Sequence, residues 1–91
     1  MVIYKYAIPP DTDTPYAING NLGNILCAKE QDGTIVVYVE TDESFRMSRI
    51  YIYLRWTGWS FKDYPHMHYI DTVDIGGLVY HVYYTGEYRL G

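Results

Sequence analysis

The sequence predicts an all-β domain, a small antiparallel sandwich or partly open barrel of about six short strands. Three observations carry this. Apolar and polar residues alternate in several short runs, the period of a half-buried strand. Twelve of the 91 residues are tyrosine, a strand former. No segment places apolar residues at helical spacing over three turns with a cap.

Val2 to Ile8 reads as the first strand, ended by Pro9-Pro10, since proline cannot continue a ladder. Tyr16-Ala17-Ile18 reads as a short edge strand, and Asn19-Gly20-Asn21 with Gly23 as turn chemistry. Ile25 to Glu30 and Thr34 to Thr41 form a hairpin across Gln31-Asp32-Gly33, with glycine taking the positive φ of the turn. Ile35, Val37 and Val39 are its predicted core face. A long strand opens at Arg46 or Met47 and runs to Trp56, with Ile50, Ile52, Leu54 and Trp56 on one side and Arg49, Tyr51, Tyr53 and Arg55 on the other. Thr57 to His66 reads as a loop with aromatic anchors, His68 to Val73 as a short strand and Gly76-Gly77 as a turn. Leu78 to Thr85 is the last strand, with a loose polar tail expected from Gly86.

Residues 1–91 are expected to form a single domain, since 91 residues leave no room for a second core. Hydrophobic residues are 48% of the chain, too many for a disordered segment. Cys27 is the single cysteine, set in the apolar stretch Ile25-Leu26-Cys27-Ala28, and is expected to be a small buried hydrophobe. With no internal disulfide possible, no oxidising compartment is needed. No signal-peptide pattern and no apolar run of membrane-spanning length are present, so a soluble intracellular protein without a membrane partner is expected. Net charge is −4, split as −5 over residues 1–45 and +1 over residues 46–91. That acidity argues against general nucleic-acid binding, while the second half leaves room for a local positive site.

The most site-like segment is Arg55-Trp56-Thr57-Gly58-Trp59-Ser60-Phe61. Thr57 and Ser60 bring hydroxyls, Gly58 lets a ligand approach the backbone, the aromatics offer stacking planes and Arg55 offers a bidentate phosphate fork. Arg49, Tyr51 and Tyr53 extend the same chemistry along the strand. The ligand-binding set is therefore Arg49, Tyr51, Tyr53, Arg55, Thr57, Gly58, Trp59 and Ser60, weighed against the plainer reading of a solvated sheet face. His66-Met67-His68 puts two imidazoles at i and i+2, a weak metal pattern without a spaced third ligand, so no metal or other cofactor is expected. Cys27 with His81 is the one conceivable thiol pair, and Asp71 and Asp74 fall on opposite strand faces. With no nucleophile-elbow, metalloprotease or phosphate-loop string, catalysis is not expected.

Ile3-Tyr4-Lys5-Tyr6, the hairpin from Ile25 to Glu40, Thr57-Gly58, Tyr69-Ile70-Asp71-Thr72-Val73 and Gly77-Leu78-Val79-Tyr80-His81-Val82 stand out as strings. Together they resemble a family of short uncharacterised phage and prophage proteins, a domain of unknown function. Where that family's pattern has Gly-Thr-Gly-His, this chain has Trp56 in place of the first glycine and Trp59 in place of the histidine. The resemblance implies phage origin, the host cytoplasm as location and, by association with small phage proteins, action against a host defence system. Joined to the Arg/Tyr segment, the expectation is a binding protein that sequesters a nucleotide-derived signal. The alternatives are a protein-binding inhibitor of a defence effector, motivated by the acidic Glu40, Asp42 and Glu43, or a minor virion component. A homo-oligomer is expected because edge strands of small β domains need cover.

Overall fold

The computed structural model describes residues 1–60 and 66–89, and every regular element among them is a strand. The strands are β1 (Val2–Ile8), β2 (Tyr16–Gly20), β3 (Leu22–Gln31), β4 (Thr34–Thr41), β5 (Ser48–Trp56), β6 (Met67–Ile75) and β7 (Leu78–Arg89). They form two open antiparallel sheets, one ordered β1-β4-β3 and one ordered β2-β5-β7-β6. The sandwich expected from the sequence is thus present. The barrel alternative is not, because neither sheet closes on itself.

Alternation explains the two layers. Ile8, Ile35, Val37 and Val39 of the smaller sheet meet Ile50, Ile52, Leu54 and Val82 of the larger in one buried cluster. Each such aliphatic side chain contributes roughly 1.5–3 kcal/mol when fully buried. The Ile35, Val37, Val39 face lies in the core as its spacing predicts. The thinnest dimension is 16 Å, as two layers about 10 Å apart require. Buried Ser48 donates its hydroxyl to Gly20 O at 3.5 Å, and Thr41 donates to Val2 O at 3.3 Å, so neither polar group is stranded.

The turns follow residue chemistry. Asp32 (φ 51°) and Gly33 (φ 79°) make the tight β3–β4 turn, and the Gly33 amide donates to Glu30 Oε2 at 2.6 Å. Asp11 Oδ1 accepts the amides of Asp13 (2.8 Å) and Thr14 (3.1 Å), which fixes the loop between β1 and β2.

Four details differ from the sequence reading. Tyr16–Gly20 is a full edge strand, so the strands number seven. Asn19 and Gly20 belong to it, and β3 begins at Leu22 with Gly23 inside the strand. Asn21 alone joins β2 to β3, so the expected turn is the point where the chain steps from one sheet to the other. Residues 87–89 are not a loose tail: Tyr88 pairs with Arg49 and Arg89 with Ser48, past a bulge opposite Ile50. Cys27 is half-exposed, because a bulge between Ile25 and Cys27 turns it toward the side of Tyr38, its partner across the pair and away from Val37 and Val39.

Candidate functional site

The outer face of the larger sheet collects the residues with the most chemistry. Strand pairing sets them in rows. Arg55 lies opposite His81, and His81 opposite Thr72. Tyr53 lies opposite Tyr83, and Tyr83 opposite Tyr69. Since directly paired residues share a face, all six point away from the core.

A bulge completes the arrangement. β6 holds one extra residue between Tyr69 and Asp71, so Tyr69 and Thr72, three apart in sequence, fall on one face. The Tyr69 hydroxyl and Thr72 Oγ1 are 2.5 Å apart. Thr72 Oγ1 lies 3.1 Å from His81 Nδ1, and Thr57 Oγ1 lies 2.7 Å from His81 Nε2. The result is a hydrogen-bonded line from β6 across β7 to the end of β5, Tyr69–Thr72–His81–Thr57. A neutral imidazole donates through one nitrogen and accepts through the other, and either threonine hydroxyl serves either role.

A second row runs beside it. The Tyr69 and Tyr83 rings meet edge to face with centroids 5.6 Å apart, and Tyr53 shares a hydrogen bond with Thr85 at 3.3 Å. The Arg55 guanidinium carbon is 5.3 Å from the Tyr53 ring centroid. Arg55 Nη1 also donates to Thr12 O (3.3 Å) and Leu54 O (3.0 Å), so the guanidinium is held between the sheet and the loop from β1 to β2.

The sequence-derived set is therefore divided. Tyr53 and Arg55 are buried on the outer face, and Thr57 joins the His81 line. Tyr51 is half-buried in the same row as Thr85. Arg49 lies apart, its Nε donating to Asn19 Oδ1 at 2.6 Å on the edge strand. Gly58 (φ 79°) turns the chain after β5, and Ser60 is exposed beyond it. Trp59 is 70% exposed and leans on Trp56 with ring centroids 5.5 Å apart. Phe61 lies outside the described residues. Tyr69, Thr72, His81, Tyr83 and Thr85 were not in the set. Their signal was the pairing of strands, together with a bulge that period-2 reading passes over.

His66 sits in a turn with φ 62°, and the His68 ring packs 5.1 Å from that of Tyr84. Among the described residues no three His, Cys, Asp or Glu side chains gather as a metal site. No helix among them is long and apolar enough to cross a membrane.

A separate cleft of about 450 Å³ opens between the sheets, lined by Tyr4, Tyr6, Gly20, Asn21, Thr41 and Asp42 among others. Burial pushes the Tyr6 phenol above its ordinary pKa, with the neighbouring Tyr4 adding to the shift.

Residues 1–89 match the model of a family described as Domain of unknown function (DUF7352). The chain belongs to that family. The match covers both sheets, so both faces described above are built from the family's domain. No curated protein and no solved structure matches the chain.

Proposed function

We propose that the outer face of the larger sheet binds a small, flat, anionic ligand of nucleotide type. The observation that supports this is the hydrogen-bonded line Tyr69–Thr72–His81–Thr57 lying beside the Tyr53–Arg55 pair. A nucleotide asks for a stacking plane, a few hydroxyl or imidazole partners and a cation for phosphate. The strands of this face carry the hydroxyl and imidazole partners and, in Tyr69 and Tyr83, ring planes, while Arg55, buried beside Tyr53, contributes positive charge rather than an exposed fork; such placement suits a preorganised site. Both His81 nitrogens are engaged by threonine hydroxyls, which holds the ring as a positioned recognition group. In this reading the protein is phage-encoded and removes a nucleotide-derived signal used by a host defence. The resemblance of the sequence to short phage proteins supports that part.

Calorimetry against cyclic dinucleotides and ADP-ribose-type nucleotides tests the reading. The expected result is saturable heat with at least one, lost in Thr72→Val. Absence of heat with all of them at high protein concentration sinks it, and a stable protein partner would then move the reading to an inhibitor of a defence effector.

A further inference from the structure

We infer that the free edge of β1 pairs with β1 of a second copy, joining the two smaller sheets into one six-stranded antiparallel sheet. The two sheets have four edges, β1 and β3 in one and β2 and β6 in the other. β3 is irregular at two register shifts, and its Ala28 amide donates to Asp71 Oδ2 at 3.4 Å. β6 is bulged at Ile70 and carries Asp71 and Asp74. β2 has five residues and follows Pro15. These are the usual ways an edge is kept from pairing: bulges, charge, short length and proline.

β1 carries Lys5 and has Pro9 just past its end, but it has no bulge and is not short. It pairs with β4 in unbroken register over all seven residues, and no described strand pairs with its other edge. Val2, Ile3 and Tyr4 are each more than half exposed. A long, regular, apolar edge is a template for another strand.

Charge fits a second copy and narrows its register. In a two-fold antiparallel pair each residue faces one of its own parity, so inner faces stay continuous. Centring on Lys5 opposes two lysines and is disfavoured. Centring on Tyr4 places Tyr4 against its copy, Val2 against Tyr6 and Ile3 against Lys5. Ile3 is paired with Glu40 on the next strand, so the incoming Lys5 enters a row that holds a carboxylate, which also accepts Asn24 Nδ2 at 2.9 Å. The reach is ordinary for this side chain: within its own sheet Lys5 crosses β4 to bond Gln31 Oε1 at 3.0 Å. Tyr4 lines the cleft between the sheets, so its pairing also covers the cleft mouth.

Sedimentation equilibrium from micromolar to about millimolar concentration reads the mass, a range in which weak edge pairing would appear. The expected result is a dimer for the parent chain and a monomer for Ile3→Lys at the same concentration, with circular dichroism and thermal midpoint retained. Tyr4→Cys in a Cys27→Ser background is expected to cross-link on mild oxidation, and Lys5→Cys in that background is not, because only the residue on the axis meets its copy within disulfide reach. A monomeric parent, a dimer indifferent to Ile3→Lys, or faster cross-linking at position 5 would each overturn the inference. None of these outcomes bears on ligand binding by the other sheet.

Discussion

Tyr4 and Tyr69 are 55% and 56% exposed, yet the molecule treats them differently. Tyr69 is fixed twice, by its hydroxyl on Thr72 and by its ring edge against Tyr83. The Tyr4 hydroxyl has no hydrogen-bond partner among the described residues, and the side chain stands on the edge strand β1 beside an open cleft. Equal exposure therefore has two meanings. On the larger sheet an exposed tyrosine belongs to a network whose geometry is set before anything binds. On the smaller sheet it is apolar surface still to be covered. The first suits recognition of a small ligand, and the second suits a strand partner.

The largest test of this contrast asks whether the two sheets are one folding unit. Ile52 is 1% exposed and sits in the cluster shared by both sheets. Ile52→Ala should cost about 2–5 kcal/mol, since the cavity at a central position cannot collapse. Chemical denaturation followed by tyrosine fluorescence and by circular dichroism should give one coincident transition, shifted to lower denaturant. Two separate transitions would mean that the faces belong to independent units.

The edges supply the next test. Asp71 joins the two sheets: Oδ2 accepts the Ala28 amide at 3.4 Å and lies 4.0 Å from Lys29 Nζ, while Oδ1 accepts the Thr72 amide at 2.9 Å. Asp71→Ala removes this cover, at a cost of about 1–3 kcal/mol in thermal or denaturant unfolding. It should also open a second pairing edge, seen as concentration-dependent species larger than a dimer. An unchanged mass distribution would show that bulges alone protect β3 and β6.

Much of this contrast was legible in the sequence, and the missing part has a physical reason. The alternation from Ile50 to Trp56 and from Ile35 to Val39 located the core, because each strand buries one face. Bulges account for part of what alternation passes over, since they add a residue and reverse the period downstream. Cys27 left the core in this way, Tyr69 joined Thr72 in this way, and β7 continued past Gly86 with a bulge opposite Ile50. Gly23 looked like a turn, but it lies in β3 where a Cβ would come within 2.5 Å of the Phe45 ring, so the glycine serves close packing. Arg55 and Tyr53 were chosen as site residues for their chemistry. Their burial carried no local signal, and for Arg55 it goes with a contact distant in sequence, to Thr12 O.

Thr72→Val is a smaller change that sharpens the contrast. It keeps the shape and removes the hydroxyl between Tyr69 and His81. Stability should fall by about 1 kcal/mol or less, because the partners remain accessible to water. Ligand affinity should fall far more, and dimerisation through β1 should not change. An equal loss of ligand binding and of dimer mass would show that the two surfaces are coupled.

The smallest effect is set by pH. The Asp11 carboxyl is held below its ordinary pKa of 3.8 by the amides of Asp13 and Thr14. Asp42 is held below 3.8 by the Ser44 amide and hydroxyl and by the N-terminal ammonium. A lowered native pKa means that each contribution to stability is fully present above the unfolded value and is lost as pH falls through the native one. Asp11 is exposed and Asp42 lies at the surface within reach of water, so the loss is slight and confined to acid below about pH 4. Carboxyl-carbon NMR should place both midpoints below 3.8. The consequences should differ by region. Asp11 orders the loop that gives Thr12 O to Arg55, so Asp11→Asn should weaken ligand binding to the larger sheet. Asp42 lies at the end of the row beside β1, so Asp42→Asn should leave that binding intact. If Asp42→Asn weakens binding as much as Asp11→Asn, the division of labour between the two sheets is wrong.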